Sequence, residues 1–346
     1  MIQRSLYVDR SPGELRAVLT ADGQPERLLI RRDDDDLRLA LGARLVARVA
    51  SVEPAISTAF LDLGSGAEAV LPFKPDARPR VGQFLDIEVR TEPRRGKLAV
   101  ARMRAVAAGP ARLLTAPPDP VGQLESLIPD GALIEGRAAR EMADEAEALV
   151  LAVTHPLPGG GMVSIEPTRA LVAVDIDVGA RKGAETKRVT RQTNLGALPR
   201  LARLLRLKAL GGLVVIDLVG RGHDAGAIIT AARAAFAPDN PGVVVGPVGR
   251  FGTIELIVPR RVRPLAELLS DEAGALSCKT LAHRLIRRLE DEARAQPGAR
   301  LIARCAPEIA SAAKPLANAL VGKIGARFAI LGDPARPRDQ PEIGAT

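Results

Sequence analysis

Asp175 and Asp177 stand one residue apart inside the apolar run LVAVDIDVGARKG, residues 171–183, and Asp217 closes a second apolar run, LVVI, at 213–216. Alternate residues of a strand face the same side, which sets the first two carboxylates next to each other. Like charges that close repel unless a cation lies between them. Acidic side chains at or near the ends of neighbouring strands commonly hold Mg²⁺, a hard cation that takes oxygen ligands and keeps several waters. An ion held in this way activates water and neutralises the charge developing on a phosphodiester. Read singly, each aspartate is a strand or helix cap. Together, inside apolar segments, they ask for a counter-charge, because burying a carboxylate is costly unless it is paired or metal-bound.

Other chemistries have weaker support. His155, His223 and His283 show no triad spacing. His223, in GRGHDAG, follows Asp217 closely and reads as a turn histidine in solvent. Cys278 and Cys305 form no CxxC pair for zinc and no disulfide framework. The GGG at 159–161 lacks the GK[ST] of a phosphate-binding P-loop.

Periodicity gives the elements that must position these residues. Residues 1–34 read as two short strands, SLYV and AVLTADGQPERLLI, with ADG as the turn. RRDDDD, at 31–36, reads as a solvated connector. Residues 37–105 alternate in short segments with tight turns, a pattern of five strands that suggests a small OB-type barrel. Residues 106–122, rich in Ala, Gly and Pro, read as a linker, 136–149 as a helix, and LPGGG at 157–161 as a break. From 162 to 260 strands and helices alternate. MVSIEP, ALVAVDID and LVVIDLVG are strands, GAIITAARAAFA is a helix and GVVVGPVGRFGTIELIVP a strand pair. TNLGALPRLARLLRLKAL is a helix with Leu198, Leu201 and Leu205 on one face and Arg200, Arg203 and Arg206 off it. Residues 275–333 give two helices and two strands, and DPARPRDQPEIGAT reads as a disordered tail.

At 346 residues, two or three domains are expected, and 47% hydrophobic content is enough for real cores. No apolar run approaches the ~20 residues that span a bilayer, and MIQRSLYVDRSPGELR has no signal-peptide core, so a cytoplasmic location is expected. The balance of 49 Lys+Arg to 41 Asp+Glu, net +8, suits a polyanion such as nucleic acid. A genome that favours arginine codons would give the same sign. With no Trp, one Tyr and six Phe, the chain has few platforms for base stacking.

The stretch TNLGALPRLARLLRLKALGGLVVIDLVG, with ALVAVDIDVGARKG and GRFGTIEL, resembles the catalytic core of the ribonuclease E/G family. VARVASVEPAISTAFLDLGSGAEAVLPFK is similar to the S1 barrel of that family. The resemblance implies a multidomain α+β chain. Its parts would be N-terminal strands of an RNase H-like remnant (1–36), an inserted OB-type S1 barrel (37–105) and a linker with the rest of the remnant (106–160). A DNase-I-like α/β catalytic domain (161–270), a small C-terminal α/β domain (271–335) and a tail (336–346) would follow. It further implies a Mg²⁺-dependent endoribonuclease for single-stranded RNA, with Mn²⁺ as a substitute ion. Carried over by position, Asp175 and Asp217 hold the metal, and Asp177 stands where the family has an Asn that meets the scissile phosphate. Phe60 matches a stacking aromatic of the barrel and Lys97 a basic residue facing RNA. Arg250 and Phe251 match the family's RFG element, and the nearby Arg181 and Lys182 would meet phosphate charge.

Departures from the family pattern shape the expectation. DEAGALSCKT fills the place of the zinc-linking CPxCxGxG, so a monomer or dimer is expected rather than a zinc-linked tetramer. The short spacing between barrel and core, where GALIEGRAAREMADEAEAL resembles part of the RNase H-like piece, implies loss of the 5′-monophosphate sensor. Val70 replaces a second barrel aromatic, Arg169 a Glu and Gly220 an Asp. The extra charge at Asp177 motivates an alternative, an RNA-binding protein or regulator with little or no nuclease activity.

Overall fold

The computed structural model describes residues 3–128, 131–179 and 186–345. Three strands, Arg4–Ser11, Glu14–Ala21 and Gln24–Arg32, open it as an antiparallel meander. They are three, not the two expected, because Pro12-Gly13 reverses the chain as tightly as Asp22-Gly23. Gly13 sits at φ 74°, and Asp22 and Gly23 at φ 50° and 73°, the left-handed pair that a two-residue hairpin turn requires. A fourth strand, Ala132–Glu135, runs parallel to the first, and the helix Arg137–Leu151 covers the sheet through Ala143, Ala146 and Val150.

The barrel is built from the chain between the third and fourth of these strands. Its five strands are Arg44–Glu53, Thr58–Asp62, Glu68–Pro72, Phe84–Thr91 and Ala99–Val106. They close because the first pairs with both the second and the fourth, while the third pairs in parallel with the fifth, an arrangement consistent with an OB fold. Leu45, Val49, Leu61, Leu71, Leu85 and Ile87 fill it. The stretch expected as a linker adds a strand, Arg112–Thr115, beside Arg44–Val46. The second barrel strand pairs only from Arg48 onward, which leaves that edge of the first strand open to it. RRDDDD is also more than a solvated connector: Asp34 pairs with Lys279 at 2.6 Å, and Asp35 accepts the Arg32 N–H at 2.7 Å.

A six-stranded sheet follows, in the order Thr154–Pro156, Met162–Pro167, Val172–Asp177, Gly212–Asp217, Thr253–Val258, Val244–Val248. Only the central pair, Val172–Asp177 with Gly212–Asp217, is parallel, because a helix, Thr186–Lys208, makes the crossover between them. That helix and Ala225–Phe236 cover one face of the sheet, where Val174, Ile176, Val214 and Ile216 meet Leu198, Leu201, Leu205 and Phe236. The opposite face is exposed at Asp175, Asp177, Asp217, Glu255 and Ile257. The helix starts earlier than its apolar stripe predicts, and its arginines tie it to the first sheet. Arg206 pairs with Glu26 at 3.2 Å and Asp239 at 2.7 Å, and Arg203 donates to the Pro25 carbonyl.

The C-terminal unit packs helices Cys278–Ala295 and Pro307–Ile324 on a sheet ordered Phe328–Gly332, Leu301–Cys305, Glu342–Ala345. The last strand lies in the segment expected as a disordered tail. It caps the open edge of Leu301–Cys305, and Ile343 packs on the core. Buried ion pairs join this unit to the first sheet. Arg16, fully buried, bonds Asp9 at 2.6 Å and Glu147 at 3.0 Å; Arg140 bonds Asp9 and Glu290; Arg287 meets Glu14 and Glu147. Among the described residues, no helix is long and apolar enough to cross a membrane.

Candidate active site

The parallel register sets Asp175, two residues before the end of its strand, directly opposite Asp217, which ends the neighbouring one. Their Cα atoms are thus about 4.8 Å apart, the spacing of paired strands. Alternation buries Val174, Ile176, Val214 and Ile216 on the helical side and turns Asp175, Asp177 and Asp217 to the exposed side. Glu166, on the next strand, shares that face. The Asp175 carboxyl is held above its ordinary pKa, by partial burial first and then by the charges of Asp217, Asp177 and Glu166. Each of these influences pushes the same way, and none is a cation.

The surrounding backbone is closely fitted. The Asp177 carboxylate accepts the Gly179 N–H at 2.9 Å, which closes the turn after the strand. Gly161, at φ 88°, lies so near the Asp177 carbonyl that a Cβ there would stand 2.4 Å from it, so only glycine fits. Asn194, buried in the long helix, grips the residue two after Asp217. Its amide donates to the Val219 carbonyl at 3.0 Å and accepts the Val219 N–H at 3.1 Å. On the other side of Asp217 lies Thr253, its register partner on the strand Thr253–Val258. The hairpin leading into that strand carries Arg250 and Phe251, with the guanidinium 4.6 Å from the ring centroid.

Phe60 and Lys97 belong to the barrel. Phe60 is half-buried on its outer side, in register with Val70 and Ser51, and Lys97 is exposed at the hairpin bridge Arg94–Lys97. The strand end that leads to Lys97 is anchored beside the acidic sheet. Glu92 donates its N–H to the Arg261 carbonyl at 2.8 Å and accepts the Arg263 N–H on its side chain at 3.0 Å. Arg181 and Lys182 lie outside the described residues.

Residues 140–261 match the ribonuclease E/G family. The stretch that carries the acidic strands belongs to this family. Ribonuclease E of Haemophilus influenzae and that of Escherichia coli are each 35% identical to it over 114 residues, 32% of this chain. A chloroplastic ribonuclease E/G-like protein of Arabidopsis thaliana is 30% identical over 137 residues. The matches span only 11 to 14% of the length of these relatives. The ribonuclease E/G match takes in Asp175, Asp177, Asp217, Asn194, Arg250 and Phe251, and leaves the barrel outside it.

Asn194 is the site residue that pattern reading passed over. A polar side chain at 194, in the stripe that continues through 198, 201 and 205, was the available signal.

Proposed function

We propose that this chain is a metal-dependent endoribonuclease that hydrolyses phosphodiester bonds in single-stranded RNA, without reading the 5′ end. The observation that carries this reading is the in-register pair Asp175–Asp217, with the Asp175 carboxyl pushed above its ordinary pKa by partial burial and then by the neighbouring carboxylates, within a stretch that matches the ribonuclease E/G family. A donor set of carboxylate oxygens suits Mg²⁺ or Mn²⁺. Among the described residues no three or more His, Cys, Asp or Glu side chains converge as a cage. The fit is therefore to an ion held by two carboxylates that keeps waters of its own. When bound, Mg²⁺ would activate water and offset phosphodiester charge.

The chain's own residues do the rest. Asp175 and Asp217 supply the negative charge that fixes the ion, and Asn194 holds the strand end at Val219 so that Asp217 keeps its register. Asp177, engaged with Gly179, adds charge beside the scissile phosphate in place of the neutral amide of the resemblance. Phe60 and Lys97 on the barrel, Arg250 and Phe251 beside the sheet, and Arg181 and Lys182, which follow the acidic strand in sequence, bind the RNA strand. DEAGALSCKT in place of the zinc-linking motif supports a monomer or dimer, and the short spacing between barrel and sheet supports the loss of 5′-end sensing.

The test is incubation of the purified protein with end-labelled single-stranded RNA in Mg²⁺, in Mn²⁺ and in EDTA, with 5′-monophosphate and 5′-hydroxyl forms compared. Cleavage that needs the metal and ignores the 5′ group is expected. Binding without cleavage in either metal would replace this reading with an RNA-binding regulator.

A further inference from the structure

Phe251 is 79% exposed, more than any other large apolar side chain among those described. Nothing in the fold requires a ring there, since it packs on no core. The turn that presents it is well defined. Gly249 donates its N–H to the Thr253 carbonyl at 2.7 Å, and Gly252 donates to the Gly249 carbonyl at 3.0 Å. Leu218, next to Asp217, donates to the Gly252 carbonyl at 3.0 Å, so the tip is bonded to the strand end that carries the carboxylate. Gly252 has φ 85° and lies against the His223 ring, where a Cβ would come within 3.1 Å of Nε2. Arg250 stacks over the ring at 4.6 Å from its centroid, which steadies it and leaves its other face to solvent.

We propose that Phe251 is a stacking platform for one unpaired RNA base, set beside the scissile phosphate, with Arg250 held against the ring's opposite face. The inference deepens the nuclease reading and rests on it. It assigns part of the preference for single strands to the catalytic sheet, because a base must leave any helix to lie on this ring. Stacking on an aromatic tolerates every base, so the platform fixes position without dictating sequence.

The experiment places 2-aminopurine at successive positions of a single-stranded RNA around the cleavage point mapped with the wild type. Binding is then followed in EDTA, where the RNA stays intact. One position should lose fluorescence on binding wild type and Phe251→Tyr, and keep it with Phe251→Ala. In Mg²⁺, Phe251→Ala should lower kcat/KM by roughly 5- to 100-fold, the range for one stacked base. An abasic nucleotide at the responsive position should lower the wild type equally and cost Phe251→Ala nothing more, as two ends of one contact require. No responsive position, an equal response in Phe251→Ala, or losses that multiply would overturn the proposal. A wild type that cuts no RNA in Mg²⁺ would instead remove the nuclease reading on which it stands.

Discussion

Asp175, Asp177 and Asp217 share one face of the sheet without a matching cation among the influences on Asp175, and that imbalance has measurable consequences. A carboxyl whose folded pKa is raised binds more protons in the native state than in the unfolded one just above pH ~4. Its contribution to stability is therefore present at low pH and lost as pH rises through that window. At pH 7 the repulsion is fully expressed, and Mg²⁺ should raise the melting temperature of the wild type. Asp175→Asn should raise it without metal, by on the order of 1–2 °C, and abolish the response to Mg²⁺. A metal response unchanged in that variant, read by calorimetry, would count against the site. Asp177→Asn can keep the bond to Gly179, because an amide oxygen also accepts. It should preserve stability and raise the cleavage rate several-fold or lower the Mg²⁺ needed; equal or slower cleavage would show that the extra charge does not restrain the enzyme. These three aspartates were legible in the sequence because carboxylates interrupting apolar strands are conspicuous. The bonds of Asp177 and the clash at Gly161 were not, since both depend on chain segments meeting in space.

At the scale of elements, the helix Thr186–Lys208 acts as a positioning device. Its leucines were readable as a buried face, and all three of Leu198, Leu201 and Leu205 are buried. Its earlier start and the inward roles of Arg203 and Arg206 escaped notice, because their partners Pro25, Glu26 and Asp239 are supplied by distant segments. Asn194→Leu keeps the helix and its apolar stripe but leaves the Val219 N–H and carbonyl unpaired, at about 1–3 kcal/mol. The outcome expected is a modest fall in urea midpoint together with a larger fall in kcat, with RNA affinity little changed. A variant as active as the wild type would show that Val219 and Asp217 hold their places without it. The final strand, Glu342–Ala345, escaped the sequence reading for a similar reason: a short segment among prolines is a strand only when an edge such as Leu301–Cys305 accepts it.

The whole molecule is held by charge as well as by apolar cores. Asp9, Arg16, Arg140, Glu147, Arg287 and Glu290 are all nearly inaccessible and come from the first sheet, the helix Arg137–Leu151 and the C-terminal unit. Burial would raise the Asp9 pKa, but Arg16 and Arg140 outweigh it and hold the carboxyl below its ordinary value. Arg16→Met should destabilise by about 3–5 kcal/mol, because it strands buried Asp9 and Glu147 charge. Denaturation followed by circular dichroism would measure this, and a loss under ~1 kcal/mol would show that the remaining arginines compensate. The closed barrel was readable from its strand spacing and the two-layer sheet from its alternation. The network was not, because charged residues far apart in sequence look solvated until the units meet. The barrel is tied to the acidic sheet separately, through Glu92, which fixes the strand end near Lys97 to the segment after the sheet.

The most direct measurement is the rate of cleavage of one labelled single-stranded RNA in Mg²⁺ by the wild type, Asp175→Asn and Asp217→Asn, each confirmed as folded. Each substitution is predicted to reduce the rate by roughly 100-fold or more, as loss of an ion worth several kcal/mol to the transition state implies. Cleavage by either variant at close to the wild-type rate would contradict the assignment of the Asp175–Asp217 pair as the metal-holding centre.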